Sequence, residues 1–206
     1  MLLWARKRER KKISKNKAKW LSLLVCMSST NLSFERMMIV FGVQIMIMKG
    51  IGIIPAGIIL SLHLFLRSLG TLSGGYLSDR FGERKIMVIF SILSFGIYTA
   101  AIFSQGLLMV IGIIIFGYMQ SATFTANITM AHNILPDNIN LGTGAILGLA
   151  GTIAGVIILG FGKFADFHGL MNAAKVTASL NLIPVFISFF IPRKYEDVTK
   201  NPVLVQ

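Results

Sequence analysis

The sequence predicts an all-α polytopic membrane protein with six transmembrane helices, and three observations carry that reading. Of its 206 residues 54% are hydrophobic and only 14% charged, and the mean hydropathy is +0.74, too apolar for a soluble domain of ordinary composition. Six apolar runs follow one another, each near or above the roughly 20 residues that a helix needs to span hydrocarbon. Lysine and arginine are distributed unevenly between the two ends of those runs, as expected of a chain whose orientation is set by charge.

Residues 1–19 hold nine of the twenty lysines and arginines, with no apolar stretch ending in a small-residue cleavage site. They read as a basic cytoplasmic tail; a basic interfacial helix or a nucleic-acid arm is the alternative. The run lacks aromatic interleaving and any nucleic-acid module, so the net charge of +12 reads as topological and no nucleic-acid partner is expected.

The transmembrane domain covers residues 20–191. Its first span, Trp20 to Met48, is longer than a crossing requires and so is tilted or partly outside the bilayer; it carries Asn31, Glu35, Arg36 and Gln44. After a turn at Lys49 to Ile53, the second span, Ile54 to Leu77, places His63 and Arg67 four residues apart and hence on one face. The third, Ile86 to Ser104, has only hydroxyls and a glutamine near its end, a pattern that can face lipid nearly all round. The fourth, Leu107 to Ala131, includes Gln120, Thr123, Thr125 and Asn127 and leads into the loop His132 to Asp137.

The fifth span, Leu141 to Phe164, contains Gly144 and Gly148, then Gly151 and Gly155, pairs whose spacing removes side chains from a stripe and lets a neighbouring backbone approach. Gly160 and Gly162 lie nearby. The sixth, Leu170 to Ile191, is followed by a polar C-terminal tail over residues 192–206. Six spans put both termini on one side. That side holds fifteen lysines and arginines against Lys49, Lys163 and Lys175 opposite, which predicts both termini in the cytoplasm and the chain in the plasma (cytoplasmic) membrane.

Between the second and third spans stands Gly74 to Lys85, with two carboxylates and three basic side chains from Asp79 to Lys85. Such a cluster must sit at a water interface, because each charge would cost a few kcal/mol or more in hydrocarbon. Gly75 removes a side chain where helices approach, Gly82 permits a positive φ at a sharp reversal, and Asp79 and Glu83 lie where the next helix dipole favours anions. Arg80, Arg84 and Lys85 face anionic headgroups. Read from Gly75 through Asp79, Arg80, Gly82, Arg84 and Lys85, the pattern resembles the signature loop of the major facilitator superfamily of transporters. One position departs from the family: Glu83 stands where a basic residue is usual.

The resemblance covers the whole chain and half of a family member, whose twelve helices form two six-helix halves. It is to the C-terminal half: the basic run resembles the end of the central cytoplasmic loop, and the Leu135-Pro136 loop with the fifth span ending Gly162-Lys163-Phe164-Ala165-Asp166 resembles the region of the tenth and eleventh helices. From Gly70-Thr71 through Asp166 the chain is similar to fosmidomycin-resistance-type drug exporters, although His132-Asn133 replaces the Gln-Glu pair that this subgroup tends to have. The resemblance implies an antiporter: proton-coupled efflux of a small molecule or drug by alternating access. It places spans one, two, four and five around the central cavity and three and six outside. It also implies that the signature loop docks on an opposite half, with Asp79 near that half's fifth helix. The partners implied are the lipid bilayer, a separate N-terminal six-helix half or a second copy in a homodimer, protons and the substrate. The alternative is a truncated or non-transporting fragment that packs with other membrane subunits.

Candidate residues for proton coupling or for lining a cavity are Glu35, Arg36, His63, Arg67, Gln120 and Asn127. Glu35 and Arg36 point about 100° apart on a helix, so each needs a partner elsewhere; for Glu35 the candidates are His63 and Arg67. A carboxylate beside an imidazole is a proton-coupling arrangement. No nucleophile elbow, metal-spaced His and Cys cluster or phosphate loop is present, so neither an enzyme nor a cofactor or metal is expected. The single Cys26 has no partner for an intramolecular disulfide. Eleven methionines could line an adaptable cavity or simply pack.

Overall fold

The computed structural model describes residues 14–191. Most of the basic run, residues 1–13, and the C-terminal tail, 192–206, lie outside the described residues. Among the described residues there are six helices long and apolar enough to cross a membrane. The first, α1 (Lys15–Met48), starts inside the stretch read as tail, because lysine and alanine are good helix formers and nothing in Lys15 to Lys19 stops the helix. Its 34 residues are about 51 Å long, well beyond the hydrocarbon thickness.

The second span, α2 (Ile53–Phe81), runs past its expected end at Leu77, so Asp79 and Arg80 belong to its last turn. Gly82, at φ 95°, is then the single residue between α2 and α3 (Glu83–Phe103). At the opposite end Lys49, just after α1, donates to the carbonyls of Ala101 (3.4 Å), Ile102 and Ser104 (2.5 Å), closing the last turn of α3.

The fourth span, α4 (Gly106–Ile134), is the hub on which α2 and α3 both pack most extensively. The close approach of α2 to α4 depends on Gly70 and Gly74. A Cβ at Gly74 would stand 2.6 Å from the Ala122 Cα, whereas one at Gly75 would make only ordinary contact with Thr125, at 3.8 Å. The side chain that must be missing is thus one residue before the position expected. On its other flank α3 buries Met87, Ser91, Ser94 and Tyr98, so it is not the lipid-facing cylinder its composition suggested. Tyr98 packs on Phe34 of α1 and Phe116 of α4 and shares a 3.2 Å hydrogen bond with Thr177.

The fifth span is segmented. A 3-10 turn, Pro136–Asn138, leads into α5 (Ile139–Thr143), a π-helical stretch Gly144–Leu149 and α6 (Ala150–His168). A π turn winds wider than an α turn, so the stripe through Gly144 and Gly148 is out of phase with the one through Gly151 and Gly155. The sixth span breaks at Asn181 into α7 (Leu170–Leu180) and α8 (Leu182–Phe190). Pro184 explains the break: it lacks the N–H that would bond the carbonyl of Leu180, and its ring crowds that carbonyl.

The core divides into two apolar clusters. One, built around Met38, Met46, Tyr98, Ile113 and Phe116, gathers at the end where α1 and α3 finish; the other, around Leu24, Met27, Met87, Met130 and Ile146, gathers where they begin. Seven methionines, Met27, Met37, Met38, Met46, Met87, Met109 and Met130, are almost fully buried here, so their role is packing.

Candidate functional site

Charge enters the middle of the bundle on two helices. Arg67 has fourteen residues of α2 on either side, about 21 Å to each end, which puts its Cα near mid-depth. Its guanidinium crosses to α1 and meets Glu35 at 2.6 Å, with side chains 16% and 21% exposed respectively. Neither partner is fully enclosed by the bundle. The pair is anchored from behind, since the Arg67 carbonyl accepts the Ser121 hydroxyl at 2.7 Å and holds that turn of α2 against α4.

His63 does not join them. It is fully buried, one turn along the same face of α2, and its Nδ1 lies 2.7 Å from the Ile113 carbonyl of α4. A carbonyl only accepts, so Nδ1 carries a proton and donates. Nε2 has no partner among the described residues. The ring stacks on Phe116 at 6.2 Å, and Gly117 leaves the space it fills: a Cβ there would stand 2.8 Å from Nδ1. The histidine is a contact between α2 and α4, set by the absent side chain at Gly117.

Gln120 and Asn127, expected on a cavity wall, are almost fully buried and turned toward α1. Gln120 Nε2 donates to the Asn31 carbonyl at 2.8 Å; Asn127 Nδ2 donates to the Leu24 carbonyl at 3.0 Å and the Ser28 hydroxyl at 2.5 Å. These bonds fasten α4 to α1 across seven residues, two turns of helix, where lipid tails offer no polar alternative. They position α1, and through it Glu35, without lining the site.

Arg36 is different again. It is half-buried and, among the described residues, takes part in no hydrogen bond or ion pair. Its guanidinium lies along α6, with Nη2 3.6 Å from where a Cβ of Gly151 would be and Nη1 3.0 Å from that of Gly155. The second glycine pair therefore makes room for an arginine instead of a backbone. A Cβ added at Gly144 or Gly148 would meet nothing within 4 Å, and both glycines are exposed.

At the signature corner Asp79, Arg80 and Lys85 are exposed. Glu83 is almost fully buried and accepts from Asn133 Nδ2 at 2.8 Å, tying the start of α3 to the end of α4. Two of the three positions at which the sequence departs from its resemblance, Glu83 and Asn133, are thus in contact. Arg84 donates to the Phe189 carbonyl at 3.0 Å and caps α8. Neither contact had a signal in the single sequence, because each joins elements far apart along the chain. Gly70 and Gly74 did have one, the same four-residue glycine spacing that was read in the fifth span.

A small apolar cavity of about 90 Å³ lies between α1, α6 and the α7–α8 break, bordered by Thr30, Phe34, Met37, Ile157 and Phe161.

Comparison with the curated proteins and with the solved structures finds no match for this chain. The model of one family, the Major Facilitator Superfamily, matches residues 10–203. With six apolar helices, a charged helix-glycine-helix corner and nearly its whole length matched, the chain belongs to the major facilitator superfamily of transporters.

Proposed function

We propose that the chain is the C-terminal half of a proton-coupled exporter of a small molecule or drug, working by alternating access with an N-terminal six-helix half or, failing that, with a second copy of itself. Rocking of one six-helix unit against another about a mid-membrane site is how such transporters alternate. The observation that carries the reading is the Glu35–Arg67 ion pair, at mid-depth and with both side chains partly exposed. Charges placed there are expensive, and a carboxylate that a proton can reach is a natural coupling group: protonating Glu35 would release Arg67 and change what the two helices hold. Support for a docking partner comes from the exposed Asp79 and Arg80 at the corner and from the exposed glycine stripe at Gly144 and Gly148. On this reading both termini are cytoplasmic and the membrane is the plasma membrane.

The test is Glu35→Gln in the reconstituted two-half transporter, with drug-driven proton movement and protein abundance measured separately. Loss of proton movement at normal abundance is the expected result. Unchanged coupling would remove Glu35 from the mechanism, and loss of abundance alone would make the pair structural. A reconstituted pair that moves neither drug nor proton would favour a fragment that only packs with other membrane subunits.

A further inference from the structure

We infer that the apolar cavity between α1, α6 and the α7–α8 break is a binding site for the end of a lipid acyl chain, inserted between the helices instead of lying along their surface. The inference is independent of the exporter reading above. Its basis is a fork in the bundle. α7 packs along α6, but the span breaks at Asn181 and α8 packs chiefly on α3 and α1. Pro184 keeps the two pieces from joining into one straight helix. Where α8 parts from α6 a wedge is left, and that wedge is the cavity of about 90 Å³.

Depth, lining and rim together select the ligand. The sixth span, Leu170–Phe190, has 21 residues and is about 31 Å long, which matches the hydrocarbon thickness without overhang. Thr177, Leu180 and Ile183, its contribution to the cavity, sit within about 5 Å of its middle, a level that chain ends reach and headgroups do not. The inner wall is Phe34, Met37 and Phe161, all buried. Its hydroxyls are already engaged: Thr30 donates to the Cys26 carbonyl at 3.0 Å and Ser33 to the Ser29 carbonyl at 2.6 Å, while the Thr177 oxygen lies 2.7 Å from the Ala174 carbonyl and 3.2 Å from the Tyr98 hydroxyl. A buried water needs about two to four polar partners, so neither water nor a polar ligand is well met here. At the rim Ile157, Leu180 and Ile183 are exposed, and so are Ile153 and Phe186, the next turns of α6 and α8, which makes the entrance continuous with an apolar surface. Left empty, the wall would lack partner atoms on one side and forfeit those dispersion contacts; a neighbouring chain end restores them. An apolar cavity of about 150 Å³ takes up a benzene ring, so this smaller one suits a few carbons of a saturated chain.

The experiment uses the full chain, deuterated except for carbon-13 methionine methyl groups, in nanodiscs of phosphatidylcholine deuterated except at the terminal chain methyls. Nuclear Overhauser transfer from those methyls is read at each methionine, with the signals of Met27 and Met37 identified by their loss in Met27→Leu and Met37→Leu. Met37, in the cavity wall and only 2% exposed, should receive transfer; Met27, fully buried away from the cavity, should receive none. Ser33→Leu, which fills the cavity from α1, should abolish transfer to Met37. Thr30→Leu fills it nearer the rim and takes its place if far-ultraviolet circular dichroism shows Ser33→Leu unfolded. Transfer to Met27 as strong as to Met37 would mean that chains enter the bundle indiscriminately and would overturn the proposal. So would transfer that survives in the folded filled variants, or no transfer to Met37 at all. In matched samples protonated at the headgroup or in the solvent, transfer to Met37 from either source in place of the chain end would also defeat it. A last sample adds a protonated second copy of the chain to each disc: transfer to Met37 from that copy, with none from lipid, would make the cavity a contact between copies and remove the acyl-chain site.

Discussion

Adding one methyl group at Gly74 is the sharpest test of how α2 and α4 are held. In Gly74→Ala the new Cβ would stand 2.6 Å from the Ala122 Cα, 3.0 Å from its carbonyl oxygen and 3.2 Å from its carbonyl carbon. All three are backbone atoms, so no rotamer change can relieve the clash. Carbon atoms prefer separations of about 3.5–4.0 Å, so the helices must part by about 1 Å, and a gap of that size forfeits roughly a quarter to a half of each contact's attraction. Overpacking of this kind costs about 1–3 kcal/mol, and the most extensive helix pair in the bundle puts the expectation near the top of that range. The control is Gly57→Ala on the same helix, where a Cβ meets nothing within 4 Å; it should be neutral or stabilise by up to about 1 kcal/mol through helix propensity. Unfolding by dodecyl sulfate in mixed micelles, followed by far-ultraviolet circular dichroism, measures both. Equal effects at the two glycines, or a Gly74→Ala protein as stable as the wild type, would refute the argument that this interface is set by a missing side chain.

One further outcome rests on a described contact and one on the charge distribution along the chain. Replacing Asn127 by leucine removes its bonds to Leu24 and Ser28 and should cost about 0.6–1.7 kcal/mol in the same unfolding assay, the range for hydrogen bonds between membrane helices, while a larger loss would mean that the side chain also fills space leucine cannot. Reporter fusions at Met1 and Gln206, active only outside or only inside the cell, should both report the cytoplasm from the fifteen-to-three charge asymmetry; a C-terminal fusion active outside would overturn the orientation.

Composition and the succession of apolar runs determined that this is a membrane protein with six helices long and apolar enough to cross, because hydrocarbon imposes one length and one polarity on every span. The corner at Gly82 was legible for the same reason: five charges cannot be buried, and they mark an interface wherever they fall. Helix ends were less so. The stop after Leu77 that the sequence suggested is carried on to Phe81, since polar residues at the water boundary are as compatible with helix as with loop.

What only the tertiary structure decided is which polar group faces which neighbour. Glu35 had two candidate partners on one face of α2, and the fold gave it Arg67 because Gly117 opens a slot on α4 that takes His63 away. Gln120 and Asn127 looked like cavity residues by type, yet α4 turns them onto the backbone of α1. The glycines of the fifth span had a spacing but no partner until Arg36 was seen lying along two of them, and the π-helical stretch that puts the other two out of phase has no counterpart in the spacing itself. The physical reason is common to all of these. A span's existence depends on a sum over some twenty residues, which a single sequence contains; a pairing depends on the rotation of two helices about their axes, and that is settled by packing against a third.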